Sequence, residues 1–210
     1  MRKVSLGALM AVGLLAACST STSAPPVASS GRPTIGPPPR LTATRLSCPK
    51  DGTIIKTSLG NTLAFFGSGG PICNGEVDGV PANSILSLWS ASAPSAGEAT
   101  RALQALDLTS ARRVRFQQNG TTSCPGCTWV NTFSVDRTEQ IEVGAGVFDT
   151  YLIRWNQTNQ RGYEQNVWIW YAPEIGYAVK KRVDVLRGIA GNQRSWEAVE
   201  VITTQSRGKQ

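Results

Sequence analysis

Between Trp129 and Thr203 the chain carries six runs of β-branched and aromatic residues at strand spacing, and they leave little room for any fold but a sheet. The runs are Trp129 to Val135, Glu139 to Val143, Val147 to Trp155, Glu164 to Tyr171, Ala178 to Leu186 and Ser195 to Thr203. Turn residues separate them at Gly144-Ala145-Gly146, Asn156 to Gly162 and Pro173 to Gly176. Because side chains alternate across a strand, Val147, Tyr151, Ile153 and Trp155 fall on one face, with Phe148, Thr150 and Leu152 on the other. In the next strand Val167, Ile169 and Tyr171 oppose Trp168 and Trp170. Tyr177, Val179, Val183 and Val185 then oppose Lys180 and Arg182. That strand is half wet, whereas the Trp-rich one is expected to be covered on both faces.

The first half of the chain is less regular. Thr53 to Lys56, Thr62 to Phe66 and Ile85 to Trp89 are predicted strands, with turns at Leu59-Gly60-Asn61 and Gly67 to Pro71. One helix is predicted over Ser95 to Leu106. Ser95 and Glu98 have the spacing of a capping box, and Ala99, Ala102, Leu103 and Leu106 recur as one apolar stripe. The fold class expected is α+β and strand-dominated. Its core is a curved antiparallel sheet of four or five strands, a meander or partial barrel, braced by one helix.

The N-terminus is of another kind. Arg2 and Lys3 precede a short uncharged apolar run, Leu6 to Leu15, too short for the ~20 residues a membrane-spanning helix needs but suited to a secretory leader. It ends in Leu15-Ala16-Ala17-Cys18, followed by Ser19, and this resembles a bacterial lipobox. The resemblance implies cleavage before Cys18 and lipidation of that cysteine, with several acyl chains making the anchoring stable. Ser19 in place of Asp resembles lipoproteins sorted to the Gram-negative outer membrane. Residues 1–17 are thus the expected signal peptide. Residues 18–40, with six of the twelve prolines between Ser19 and Arg40, are an expected disordered tether spanning ~25 Å as a flexible coil. Residues 41–210 form the expected single β-rich domain.

A second resemblance lies between Glu139 and Lys180. Gly144-Ala145-Gly146-Val147-Phe148 and Trp170-Tyr171-Ala172-Pro173-x-x-Gly176 resemble the Val-Pro-Ala-Gly-Thr-Phe and Trp-Tyr-Ala-Pro-x-x-Gly signatures of uncharacterised bacterial periplasmic and lipoprotein domains. The chain departs from the usual form at Gly144, often Pro, and Val147, often Thr. These residues make turns and core, and no catalytic set comes with them.

Composition narrows the chemistry. The chain has no histidine, which excludes an imidazole in a Ser–His–Asp triad or a zinc site. It has five cysteines. With Cys18 lipidated, Cys48, Cys73, Cys124 and Cys127 remain as an even set, expected to form two disulfides in an oxidising compartment. Cys48 and Cys73 bracket the first hairpin. Cys124-Pro125-Gly126-Cys127 fits a disulfide at a type II turn. A redox centre, a metal site, or cross-pairing with Cys48 or Cys73 stays open. A redox centre would want a helix after the first cysteine, and none is predicted there. Glu76, Asp78, Glu139, Glu142, Asp149, Glu164 and Glu174 show no spacing that singles out an acid/base pair. No Gly-x-Ser-x-Gly, Ser-x-x-Lys or phosphate-loop pattern occurs.

Lys plus Arg number 21 against 14 acids, a net charge of +7; loss of Arg2 and Lys3 with the leader leaves +5. Lys180, Lys181 and Arg182 with Arg187, and Arg112, Arg113 and Arg115, form two basic clusters. Envelope lipid headgroups or acidic cell-wall polymers are the anions such clusters would meet. Tyr151, Trp155, Trp168, Trp170 and Tyr171 are candidates either for core or for an apolar groove. The expected function is that of an outer-membrane-anchored, non-enzymatic lipoprotein whose domain binds or scaffolds an envelope component. Its partners would be the membrane, envelope proteins or anionic envelope components, without nucleic acid or cofactor. A carrier of an acyl chain or other hydrophobic ligand, and a thiol–disulfide enzyme using Cys124 and Cys127, are the alternatives.

Overall fold

The alternating runs fold as the core of a much larger sheet. The computed structural model describes residues 40–121, 124–188 and 193–204; the leader, Cys18 and nearly all of the tether lie outside them. The strands are β1 (Ile54–Thr57), β2 (Thr62–Gly69), β3 (Ile72–Val77), β4 (Val80–Pro81), β5 (Ser84–Ile85) and β6 (Trp89–Ser90), followed by helix α1 (Ala96–Gln104). Then come β7 (Val114–Thr121), β8 (Cys124–Val143), β9 (Gly146–Asn159), β10 (Glu164–Ala172), β11 (Tyr177–Arg187) and β12 (Trp196–Ile202). They form one open antiparallel sheet of order β6-β5-β3-β2-β1-β12-β11-β10-β9-β8-β7, with β4 paired to β3. The strand-dominated class with one packed helix stands. The count of four or five strands does not, because the short strands β1 to β6 extend the same sheet through β12.

Several local expectations are corrected. Trp129 to Val135 and Glu139 to Val143 belong to the single strand β8, which bends at a bulge where the register slips between Val135 and Arg137; the break in the pattern is that bulge. Ile85 to Trp89 is a tight hairpin in place of one strand: Ile85 and Trp89 pair across it and the chain turns at Leu86 (φ +45°) and Ser87 (φ +64°), both in left-handed backbone. At the helix start Ser95 sits at φ −91°, ψ +16° and its side chain makes no capping bond, because a cap oxygen reaches the first turn from extended backbone. Glu98 instead accepts the Gln117 backbone N–H of β7 at 3.3 Å. The apolar stripe of the helix is buried as expected at Ala99, Ala102, Leu103 and Leu106.

Two cores form, one on each face of the long strands. Tyr151, Ile153 and Trp155 of β9 and Val167, Ile169 and Tyr171 of β10 join Val114, Phe116 and Phe133 beneath α1. Phe148 and Leu152 of β9 with Trp170 and Ala172 of β10 pack with Ile55, Phe65, Val179 and Ala198 on the other side. Three strands separate β8 from β12 in the sheet order, yet Ala145 N–H, in the β8–β9 turn, donates to the Ala198 carbonyl at 3.0 Å. The sheet therefore curls strongly without closing.

Candidate functional site

The five aromatic candidates divide between the two cores. Trp155 stacks on Phe133 (centroids 5.5 Å apart, 9° interplanar), meets Trp89 edge-on at 5.3 Å, and donates its indole N–H to Asn131 Oδ1 at 3.0 Å. Tyr151 and Tyr171 use their hydroxyls to hold the segment that enters the domain. The Tyr151 hydroxyl donates to the Ala43 carbonyl at 2.7 Å, and the Tyr171 hydroxyl accepts Ser47 N–H at 2.8 Å. Burial raises both phenol pKa values; a through-space effect of Asp107 adds to it for Tyr151, and hydrogen bonds from Ser47 oppose it for Tyr171. Trp168 and Trp170 project from the opposite face. The five rings do not line one groove.

The basic triplet divides in the same way. Lys180 pairs with Glu197 at 3.4 Å and lies 5.7 Å from the Trp170 ring. Arg182 pairs with Asp184 at 3.0 Å and lies 5.6 Å from Trp168, whose other cationic neighbour is Arg154 at 5.7 Å. Trp168 and Trp170 donate their N–H groups to Asp184 (2.8 Å) and Glu139 (2.6 Å). These contacts form a ladder of cations, rings and carboxylates that satisfies itself across β8 to β12. Lys181 sits in register with Ile169 and Trp196, on the helix side, where burial lowers its pKa. The three cations do not converge on one anion.

The four described cysteines form two disulfides. Cys48–Cys73 joins the entering segment to β3, with Cα atoms 5.2 Å apart. Cys124–Cys127 lies at the start of β8 with Cα atoms 5.5 Å apart, and Gly126 between them has φ +73°, as the turn chemistry requires. The pair packs with Trp129 and Tyr163 in a small cluster at the sheet end, and the β9–β10 turn covers it through Gln160 to Gly126 O (3.2 Å) and Arg161 to Pro125 O (3.4 Å). Cys124 and Cys127 are 8% and 1% exposed.

A cleft that sequence reasoning did not identify lies at the other end of the sheet. It has a volume of about 540 Å³ and is walled by β2, β3, the 81–84 connection and the β5–β6 hairpin, with Tyr177 from β11. That size falls in the range of small-ligand sites. Phe65 and Tyr177 pack at 5.0 Å in its wall, and Leu63, Leu88 and Trp89 add apolar surface. Burial pushes the Tyr177 hydroxyl up to about 12. Among the described residues the buried Trp89 indole N–H has no hydrogen-bond partner. Glu76 brings a carboxylate to the lining, which contains no Lys or Arg.

The cleft wall is strained. Leu86 and Ser87 are the central residues of the turn closed by Leu88 N–H on the Ile85 carbonyl, and both hold positive φ, where Gly or Asn is usual, at a cost of roughly 1–2 kcal/mol each. Ser87 Oγ donates to the Gly176 carbonyl at 2.9 Å, and Leu86 N–H to the Pro71 carbonyl at 2.9 Å; these bonds hold the turn in place. Leu86 and Ser87 are not turn residues by composition, and the wall joins distant segments, so only a local Ser/Asn enrichment from Asn83 to Ser92 hints at the site.

No protein-family model matches the sequence, and no curated protein matches it. Among solved structures the chain is similar to a Bacteroides fragilis protein described as exported and of YmcC-like fold. The likeness covers 77% of this chain and 100% of the other, at 13% identity and a TM-score of 0.34. By its own architecture the protein is an open antiparallel sheet with one packed helix and a cleft at one end.

Proposed function

We propose that this chain is a lipid-anchored, non-enzymatic binding module of the bacterial cell envelope, and that its ligand occupies the cleft between β2–β3 and the β5–β6 hairpin. The observation that carries the reading is the cleft itself: apolar and aromatic walls, a buried indole N–H without a partner, and a strained turn kept at its rim. Binding sites concentrate such strain. With Glu76 in the lining and no cation, an anionic ligand is disfavoured and an uncharged or amine-bearing one is favoured. The lipobox and the two disulfides support an extracytoplasmic, oxidising compartment, with the outer membrane as the proposed place of anchoring. Burial of Cys124 and Cys127 shields their disulfide from an attacking thiolate, which weighs against the thiol–disulfide alternative.

A photo-crosslinking side chain placed at Ser92, which lines the cleft, should capture one discrete envelope component in intact cells, and the same probe at Leu186 should not. Equal capture at both positions, or none at Ser92, overturns the reading. The carrier alternative would use the same cleft, and native mass spectrometry of the purified protein would reveal it as co-purifying lipid. Loss of palmitate labelling in Cys18→Ala tests the anchor separately.

A further inference from the structure

The surface where the chain enters the domain is rich in arginine. Arg40 is the first described residue, and from there the chain runs alongside the end of α1. Thr44 accepts Leu108 N–H at 3.0 Å, and Arg45 donates to the Gln104 carbonyl at 3.3 Å. Arg101 lies in the last turn of the helix, and Arg112 and Arg113 follow in the connection to β7. All five are exposed, and among the described residues none is in an ion pair.

The two acids of this region are already engaged. Asp107 Oδ1 accepts both the backbone N–H (2.9 Å) and the hydroxyl (2.7 Å) of Thr109, and Glu98 accepts Gln117 N–H. Those bonds from Thr109 hold the Asp107 carboxyl below its ordinary value, and Arg45 and Arg112 lower it further through space. Two arginines from segments far apart in sequence thus act on one carboxylate through space without pairing with it. The contrast with the Lys180–Arg182 ladder is plain, since there each exposed cation has its own carboxylate and ring.

We propose that this arginine-rich face, formed by Arg40, Arg45, Arg101, Arg112 and Arg113, docks on the anionic phospholipid headgroups of the leaflet that holds the anchor. The inference rests on the lipid-anchor reading and adds an orientation to it. Only 22 positions separate Cys18 from Arg40, so the anchor brings this face near the bilayer. Exposed arginines without an ion-pair partner gain most from a negatively charged surface, at about a fivefold gain in partitioning for each one brought near it. Held there, the domain lies on the membrane by its helix end. Monovalent salt weakens the contact, because the Debye length falls from ~8 Å at physiological strength to ~3 Å at 1 M.

The test uses residues 19–210, which retain tether and domain and lack only the leader and the lipid-bearing cysteine, so that the anchor cannot mask the electrostatic term. Cosedimentation is measured with vesicles of phosphatidylcholine alone, phosphatidylcholine with phosphatidylglycerol, and phosphatidylcholine with lipopolysaccharide. Binding is expected to the phosphatidylglycerol vesicles, with loss in 0.5 M NaCl. It should weaken about tenfold or more in the Arg45→Gln/Arg112→Gln/Arg113→Gln variant. A control that removes the same charge elsewhere, Arg161→Gln/Arg187→Gln/Arg194→Gln, should change it less than about threefold if the patch and not net charge decides. Unchanged melting of both variants shows that the fold survives. Equal loss in both variants, binding only to lipopolysaccharide vesicles, or binding indifferent to salt overturns the proposal. Failure here leaves palmitate labelling at Cys18 untouched, so the orientation and the anchor are separately testable.

Discussion

Replacing Gly176 by alanine is the sharpest test of how the domain is fastened together. Gly176 has φ +73°, and a Cβ at that position would lie 2.5 Å from the Cys48 carbonyl oxygen, 2.7 Å from its carbon and 2.9 Å from Pro49 N. The neighbour is backbone and cannot rotate away. It is also pinned: Cys48 is bonded to Cys73, Ser47 N–H donates to the Tyr171 hydroxyl, and Gly176 itself is held through its carbonyl by Ser87. Left-handed backbone alone makes alanine unfavourable by roughly 1–2 kcal/mol, and forcing the two chains apart adds about 1–3 kcal/mol. The expected loss is therefore ~2–5 kcal/mol, or about 4–20 °C in melting temperature for a domain of this size. Gly126→Ala is the matched control. It has the same φ of +73°, and a Cβ added there would meet nothing within 4 Å, so only the backbone penalty of ~1–2 kcal/mol should appear. Urea unfolding of the oxidised proteins measures both, and the difference isolates the steric part. In a Cys48→Ala/Cys73→Ala background the Gly176→Ala loss should shrink, because the entering segment can then yield. Equal losses at Gly176 and Gly126, or no change with the disulfide removed, would refute the claim that this contact clamps the entering segment to the sheet.

Four further outcomes are expected. Cys48→Ala/Cys73→Ala, which opens a loop of 25 residues, should lower stability by about 3.5 kcal/mol, whereas Cys124→Ala/Cys127→Ala, separated by three, should lower it by about 2 kcal/mol; urea midpoints decide the order. Lys181→Met should raise the melting temperature at pH 7 by a few degrees, because burial disfavours the ammonium. Its depressed folded pKa makes stability rise with pH as the charge is lost, so the gain should vanish toward pH ~10.5, and a variant that melts lower would show a needed partner. The Tyr177 hydroxyl, raised to about 12 by burial, stabilises the fold up to its unfolded value of 10.0 and loses that contribution as pH rises through the folded value; Tyr177→Phe should flatten the alkaline melting curve over that window. Asp78 is held below 3.8 first by Thr62 N–H and then by the Asn61 amide, each at 2.7 Å, so melting in acid should be less steep in Asp78→Asn, and identical slopes would remove that carboxylate from the acid transition.

The long strands could be read from the sequence because their information is local. In β9 and β10 both faces are apolar, and each set of alternate residues found its own core, Tyr151, Ile153 and Trp155 on one side and Phe148 and Leu152 on the other. The same alternation misled at Asp136, where a bulge in β8 resembled a gap between strands. Strands β1 to β6 gave weak signals since most are two to six residues long and gain their stability from a sheet already nucleated elsewhere. Strand β7 was hidden by its polar face; only Val114 and Phe116 of its early residues are buried.

The cleft was illegible for a different reason. It is assembled from β2, β3, β5–β6 and the start of β11, so no single window of sequence contains it. The residue that links those parts is in the Trp-Tyr-Ala-Pro-x-x-Gly segment, whose final glycine touches Cys48 and accepts from Ser87. The turn that such a motif builds does two things here: it brings the entering segment under the sheet, and its carbonyl steadies the strained Leu86-Ser87 turn at the cleft rim. A change at Gly176 should therefore reach both the disulfide side and the cleft side of the domain. If the cleft binds a ligand, that ligand's affinity should fall in Gly176→Ala even though no atom of residue 176 lines it, whereas Gly126→Ala should leave affinity intact.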